Sequence, residues 1–334
     1  MTQNRKNILT NSKICFGPMS MNIIDCIINL SNSKKIPFTL IPSRRQIEFN
    51  GGYVNNWTTK EFSEYVYSKS SLIAIQRDHS GPGQGLEDDD GYESLKNDCL
   101  YFDSIHIDPW KKYQDIDDGI KWTIDMINYC NNINSNLFFE IGTEEAIRRL
   151  SYEDIKYLLE QIKLKLKPEI FDRIIFCVLQ SGTALKNGEN IGIYSKDKLN
   201  EMIKVIHEYG LLSKEHNGDF MEESIRLDRF KNGLDSLNIA PELGIIETKC
   251  ILDNLNETEF EKIYNICYKS NKWVKWVNKD FIPEENKRTL TEICGHYLFS
   301  NPEFVQIKNN IPNIESIIIK TLTDFITSIL KNDS

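Results

Sequence analysis

Short apolar runs alternate with longer amphipathic stretches along most of this chain. The runs are ICFGPM (14–19), PFTLIPS (37–43), SLIAIQRD (71–78), SIHID (104–108), NLFFEIG (136–142), RIIFCVLQ (173–180), GLLSKEH (210–216) and SLNIAPE (236–242). Each is too short for a helix and rich in β-branched or aromatic residues, which reads as a buried strand. Between them, 117–132, 151–166 and 195–210 carry apolar residues at helical spacing. Ser151 with Asp154 marks a helix start, and Gly210 a helix stop.

Eight strands alternating with helices predict an α/β protein of the (β/α)8 TIM-barrel class. A doubly wound open sheet competes, but no glycine fingerprint for a dinucleotide follows the first strand. From 258 onward the pattern is helical, and 314–331 is amphipathic. The expected division is therefore a barrel over 1–257 and a helical C-terminal extension over 258–334, packed on the barrel as one cooperative unit. There is no internal repeat and no Gly/Ser linker.

In such a barrel the reactive groups gather at the C-terminal ends of the strands. The third run ends in QRDHSGPGQG, which places Arg77, Asp78 and His79 at a strand end before a glycine-rich loop. His106 and Asp108 lie two apart on the fourth strand and so share a face. Glu140 ends the fifth strand and Gln180 the sixth. His216 and Asp219 end the seventh, Asn238 lies on the eighth, and Arg44, Arg45 and Glu48 follow the second. Three of the five histidines thus fall at strand ends.

Composition narrows the chemistry. Of 334 residues, 40% are hydrophobic and 27% charged, enough for a packed core. A net charge of −9 argues against a nucleic-acid binder, while leaving room for a local basic pocket. No apolar run reaches membrane-spanning length, and MTQNRKNILTNSK lacks the apolar core of a signal peptide. The eight cysteines form no CxxC pair, and read as buried thiols of a reducing cytoplasm.

Imidazoles and carboxylates converging on one barrel mouth suit a divalent transition metal: zinc first, then manganese, cobalt or nickel. Such a metal polarises a carbonyl while a nearby carboxylate moves the proton, and Asp78 has the character of that base. Each residue also has a plainer reading. His106 serves equally as a hydrogen-bonded core histidine, and the loop at 80–85 as a simple turn. The arginines serve either an anion or a salt bridge to Glu48. The run EDDDG (87–91) reads as a solvated loop.

QIEFNGGYVNNWTTKEF, DHSGPGQG, SIHIDPW, KEHNGDF and NIAPELG, in this order and spacing, resemble the tagatose-bisphosphate aldolase accessory-subunit (GatZ/KbaZ-like) family, a relative of class II aldolases. The similarity spans roughly 40–250, with a weaker echo at GHYLFSNPEF (295–304). The resemblance implies a TIM barrel with a divalent metal, His79 and His216 as ligands and Asp78 as the proton-transferring residue. It also places Glu140 near the metal as a second acid or base, and matches Gln180 to a family glutamine.

This chain departs from the family in IPSRRQ and QRDH, and the third histidine of class II aldolases is not evident in NIAPELG. The new arginines imply an anionic substrate, with Arg44, Arg45 and Arg77 as clamps. Glu48, His106, Asp108, Gln180, Asp219 and Asn238 are the further substrate-binding candidates. The expected activity is retro-aldol cleavage or C4 epimerisation of a phosphorylated or acidic ketose. The alternative is a non-catalytic subunit that stabilises a separate aldolase. A homo-oligomer and a partner aldolase subunit are the assemblies left open.

Overall fold

The computed structural model describes residues 2–332. All eight expected strands form: β1 Ile14–Phe16, β2 Phe38–Leu40, β3 Ile73–Ser80, β4 Ser104–Ile107, β5 Phe138–Ile141, β6 Ile174–Leu179, β7 Leu212–Glu215 and β8 Ser236–Ile239. They pair in parallel and in chain order, and β8 closes on β1 through Ile14↔Leu237, Cys15↔Asn238 and Phe16↔Ile239. The closure excludes the open sheet. Strands walled on both faces read as continuous apolar runs, and IIFCVL of β6 is buried at all six positions.

The helix signals hold too. Ser151 and Asp154 form a capping box at the start of Tyr152–Lys165. Gly210 follows helix Lys196–Glu208 at a φ of +77°, a conformation that favours glycine.

Two elements lie beyond the sequence expectation. The stretch read only as lacking a leader forms helix Thr2–Asn11. Its Ile8 and Leu9 pack with Ala74, Phe138, Ile175 and Phe176 against the barrel. A two-stranded hairpin, Leu185–Lys186 with Glu189–Asn190, follows β6. It turns through Asn187 and Gly188, both at positive φ.

After β8 the chain is helical, ending in Ile314–Asn332. That helix buries Ile318, Leu322, Ile326 and Ile329, and joins helix Met21–Lys34 at Cys26 Sγ and Thr323 Oγ1, 3.3 Å apart. All eight cysteines are free and buried. Among the described residues no helix is long and apolar enough to cross a membrane.

Candidate metal centre

At the end of β3 the ladder to β4 slips between Arg77 and Ser80, and His79 takes a φ of +47°. Such a bulge re-aims side chains, and left-handed backbone at a non-glycine residue is strain that the surroundings must hold. Strict alternation would send Asp78 and His79 to opposite faces. Here both line one cleft, with Asp78 Oδ2 3.8 Å from His79 Nε2. The glycine loop that follows lies directly on the end of β4. A Cβ at Gly81 would fall 2.4 Å from the Asp108 carbonyl oxygen, so only glycine fits.

Three imidazoles meet at this point. The rings of His79, His106 and His216 stand 5.0 Å apart, centroid to centroid, in all three pairs. Each ring is tied at its far nitrogen. His79 Nδ1 is 2.6 Å from Asp108 Oδ2, His106 Nε2 is 3.0 Å from the Gly142 carbonyl, and His216 Nε2 is 2.8 Å from Glu140 Oε1. All three partners accept hydrogen bonds, which places a proton on each far nitrogen, and the near nitrogen of His106 accepts from the His79 backbone N–H at 3.3 Å.

His79 Nε2 and His216 Nδ1 face each other at 3.3 Å. Asp78 Oδ1 lies 3.7 Å from His216 Nδ1 and 3.9 Å from His106 Nδ1, buried and without a hydrogen-bond donor. Ligand atoms of Asp78, His79, His106 and His216 all fall within 4.8 Å of one another, a group that fits a metal ion. Oxygen acceptors behind each ligating imidazole are the usual outer support of such a centre.

The electrostatics differ from ring to ring. Burial lowers His106 below the ordinary histidine range against the pull of Glu140, which favours its neutral form. Burial also works to lower His79, but Asp78, the Asp108 hydrogen bond and Glu144 carry it well above that range. Glu140 is fully buried; burial pushes it up, yet Lys214, His106 and His216 hold it well below the usual carboxylate value.

Glu140 differs from its expected role. Its Oε1 holds His216, and its Oε2 accepts from Gln76 Nε2 and Lys214 Nζ, both at 2.8 Å. It supports the imidazoles from inside the barrel and offers the cleft no free oxygen. His106, expected to bind substrate, is instead the third member of the histidine cluster, contributed by β4.

Two arginine clamps are overturned. Arg77 is fully buried and grips Asp98 with two bonds, Nε–Oδ2 at 2.8 Å and Nη2–Oδ1 at 2.6 Å. Its Nη1 donates to the Pro42 and Ile47 carbonyls. One residue from inward-facing Gln76, it points out of the barrel. Arg44 is also buried, held by Glu48 Oε2 at 2.7 Å, by Asp89 and by the Gly81 carbonyl. Glu48 is occupied by Arg44 and by Ser94 Oγ at 2.6 Å. Asp89, from the acidic run, thereby anchors the glycine loop rather than merely solvating it.

The remaining candidates mostly shape the loops. Gln180 fastens its neighbours by donating to the Thr143 and Arg148 carbonyls and accepting from Leu150 N. Asp219 Oδ1 accepts from the backbone N–H of Ala240 and Glu242 at the start of helix Pro241–Leu252. Burial, with Glu242 adding its charge, lifts Asp219 to about 8 despite those bonds. Asp108 orients His79. Asn238 is buried with neither amide atom partnered among the described residues.

The cleft measures about 320 Å3, within the range of small-molecule sites. Besides Asp78, His79 and Arg45, its lining includes Glu144, Asn217, Lys111, Lys275 and Tyr297, all missed from the sequence. Glu144 Oε2 lies 3.7 Å from His79 Nε2 and accepts from Asn217 Nδ2 at 2.6 Å. Lys111, just beyond β4, was findable by the strand-end rule. Lys275 arrives from outside the barrel, so that rule gives no sign of it.

Neither a family model nor a curated protein matches the sequence. Solved structures do. The chain is similar to a probable tagatose 6 phosphate kinase from Sinorhizobium meliloti, with a TM-score of 0.80, 13% identity, and 96% of this chain and 100% of that one covered. A fructose-bisphosphate aldolase from Campylobacter jejuni gives a TM-score of 0.57 at 11% identity over 99% and 93% of the two chains. The YdjI aldolase from Escherichia coli gives 0.54 at 10% over 93% and 97%. At these identities the likeness is one of fold. The protein is a (β/α)8 barrel carrying a histidine–aspartate group that could hold a metal.

Proposed function

We propose that the protein is a metal-dependent enzyme of the class II aldolase type, cleaving or epimerising a phosphorylated or otherwise acidic ketose. The observation that carries this reading is the triangle of imidazoles, each tied to an oxygen acceptor at its far nitrogen and grouped with Asp78 so that all four ligand atoms lie within 4.8 Å of one another. A purely stabilising subunit needs no such arrangement.

His79, His106 and His216 would hold the ion, with Asp78 or Glu144 alongside. Zinc suits a set of three imidazoles best, with manganese, cobalt and nickel as the other fits. Bound there, the cation supplies Lewis acidity toward the substrate carbonyl. Asp78, in the cleft and without a donor of its own, takes the proton of the substrate hydroxyl so that the adjacent carbon–carbon bond opens. Glu144, on the same cleft, is placed to return a proton. Asp108 and Glu140 keep two imidazoles in the required tautomer, and the Gly142 carbonyl keeps the third. Release of the aldehyde fragment gives an aldolase; its rotation and re-addition give a C4 epimerase.

The test is elemental analysis of purified protein together with NMR of ketose phosphates incubated with it. Stoichiometric zinc or a related metal, lost with turnover in His79→Ala, is expected. Triose products would assign the aldolase and new ketoses the epimerase. Full turnover by metal-stripped protein sinks the reading.

A further inference from the structure

We propose that Arg45, Lys111 and Lys275 form the seat for the substrate's phosphate group, so that the segment after the barrel completes the specificity of the site. The proposal rests on reading this cleft as the active site, and adds the substrate class and the residues that select it.

All three cations line the cleft that Asp78 and His79 line. They come from three separate places: the loop after β2, the loop after β4, and the short helix Val274–Trp276 beyond the barrel. None forms an ion pair among the described residues, in contrast to buried Arg44 and Arg77, which both meet carboxylates. That is notable in a chain with 49 acidic against 40 basic residues, where carboxylates are in excess. Arg45 Nε and Lys111 Nζ donate only to loop carbonyls, those of Gly85 and Gly83. Lys275 Nζ stands over the rings of Trp276 and Tyr297, 4.7 and 5.0 Å from their centroids.

The three charges also act on one another. Partial burial and Arg45 lower Lys111 below the ordinary lysine range, against the pull of Asp108 and Asp88. Partial burial, then Arg45, Lys272 and Lys111, bring Lys275 down to about 8. Grouping cations without a carboxylate in direct contact is unfavourable, and a bound anion offsets it. A guanidinium fork with two ammonium groups, converging from three segments, matches a phosphate monoester dianion better than a single planar carboxylate. The cleft then has two ends of opposite character. Imidazoles and carboxylates face the reacting carbons, and the cations face the phosphate.

The experiment is calorimetric titration of inorganic phosphate into chelator-treated, full-length protein at low salt, with acetate in parallel. Wild-type protein is expected to bind one phosphate and to bind acetate at least tenfold more weakly. Lys275→Gln and Lys111→Gln are each expected to weaken phosphate about tenfold, in line with loss of one charge-assisted contact. Lys111 is exposed, so its replacement leaves the fold intact, checked by circular dichroism. Absence of phosphate binding, wild-type phosphate affinity in both variants, or preference for acetate overturns the proposal. Zinc titrated into Lys275→Gln separates the two ideas. Wild-type zinc affinity there leaves the metal reading standing if the phosphate seat fails, and phosphate binding by a protein that takes no zinc does the reverse.

Discussion

Glu140 and His216 share a hydrogen bond of 2.8 Å across the barrel interior, and this bond fixes which nitrogen of His216 faces the cleft. The same carboxylate neutralises Lys214, whose ammonium is wholly buried. One side chain therefore serves both stability and the candidate metal centre. The two roles separate by mutation. Glu140→Gln leaves Lys214 as an uncompensated buried charge and should cost about 3–5 kcal/mol in urea unfolding. Adding Lys214→Met should recover much of that loss. Zinc affinity should stay about 10–100-fold down in both variants, because the support behind His216 remains weakened. Wild-type zinc affinity in the double variant would show that Glu140 is structural only.

Asp78→Asn should separate binding from chemistry. Three imidazoles remain to hold the ion, so metal content should match wild type. Loss of the base should lower kcat by about 10²–10⁴ with little change in KM. A fall in metal content matching the fall in kcat would make Asp78 a ligand rather than a base.

The arginines divide sharply. Arg77→Ala exposes buried Asp98 to an apolar surround and should lower unfolding stability by about 3–5 kcal/mol. Arg45, half-buried and free of carboxylates, should change stability by less than about 0.5 kcal/mol when replaced by alanine, while substrate KM rises. Equal stability losses in the two variants, measured in urea, would contradict the difference in their surroundings.

Asp219 gives a pH signature. Its folded value near 8 lies above the ordinary value of ~3.9, so folding takes up a proton between those limits. The contribution is sign-definite: stability from this group is greatest in acid and declines as pH rises toward 8. Asp219→Asn keeps the oxygen that accepts from Ala240 and Glu242 but cannot ionise. The stability of the variant relative to wild type should rise steadily from about pH 5 to about pH 8 in thermal unfolding. Parallel curves across that range would rule out a buried neutral Asp219.

The barrel was readable because its strands are walled by helices, which makes them short apolar runs punctuated by polar ends. Helix Thr2–Asn11 escaped notice because it is mostly polar, with Ile8 and Leu9 its buried apolar side chains among the described residues. At the site, the strand-end rule located Asp78, His79, His106 and His216 correctly in space. The period-two rule, applied further, held more. Lys214 lies two before His216 and Gln76 two before Asp78, so both share the inner face that saturates Glu140, whereas Arg77 falls on the outer one. Lys275 follows no such rule. It reaches the cleft by the packing of a segment outside the repeating pattern, and that packing is a property of the folded chain.

The slipped register at the end of β3 makes the site intolerant of length changes. Because Asp78 and His79 are sequence neighbours that converge only through this irregularity, removing one residue between Arg77 and Ser80 would restore an even zigzag and swing an imidazole or a carboxylate into the surrounding helices. Homologues that keep this chemistry should therefore vary freely in the loops yet preserve the spacing of this strand terminus to the residue.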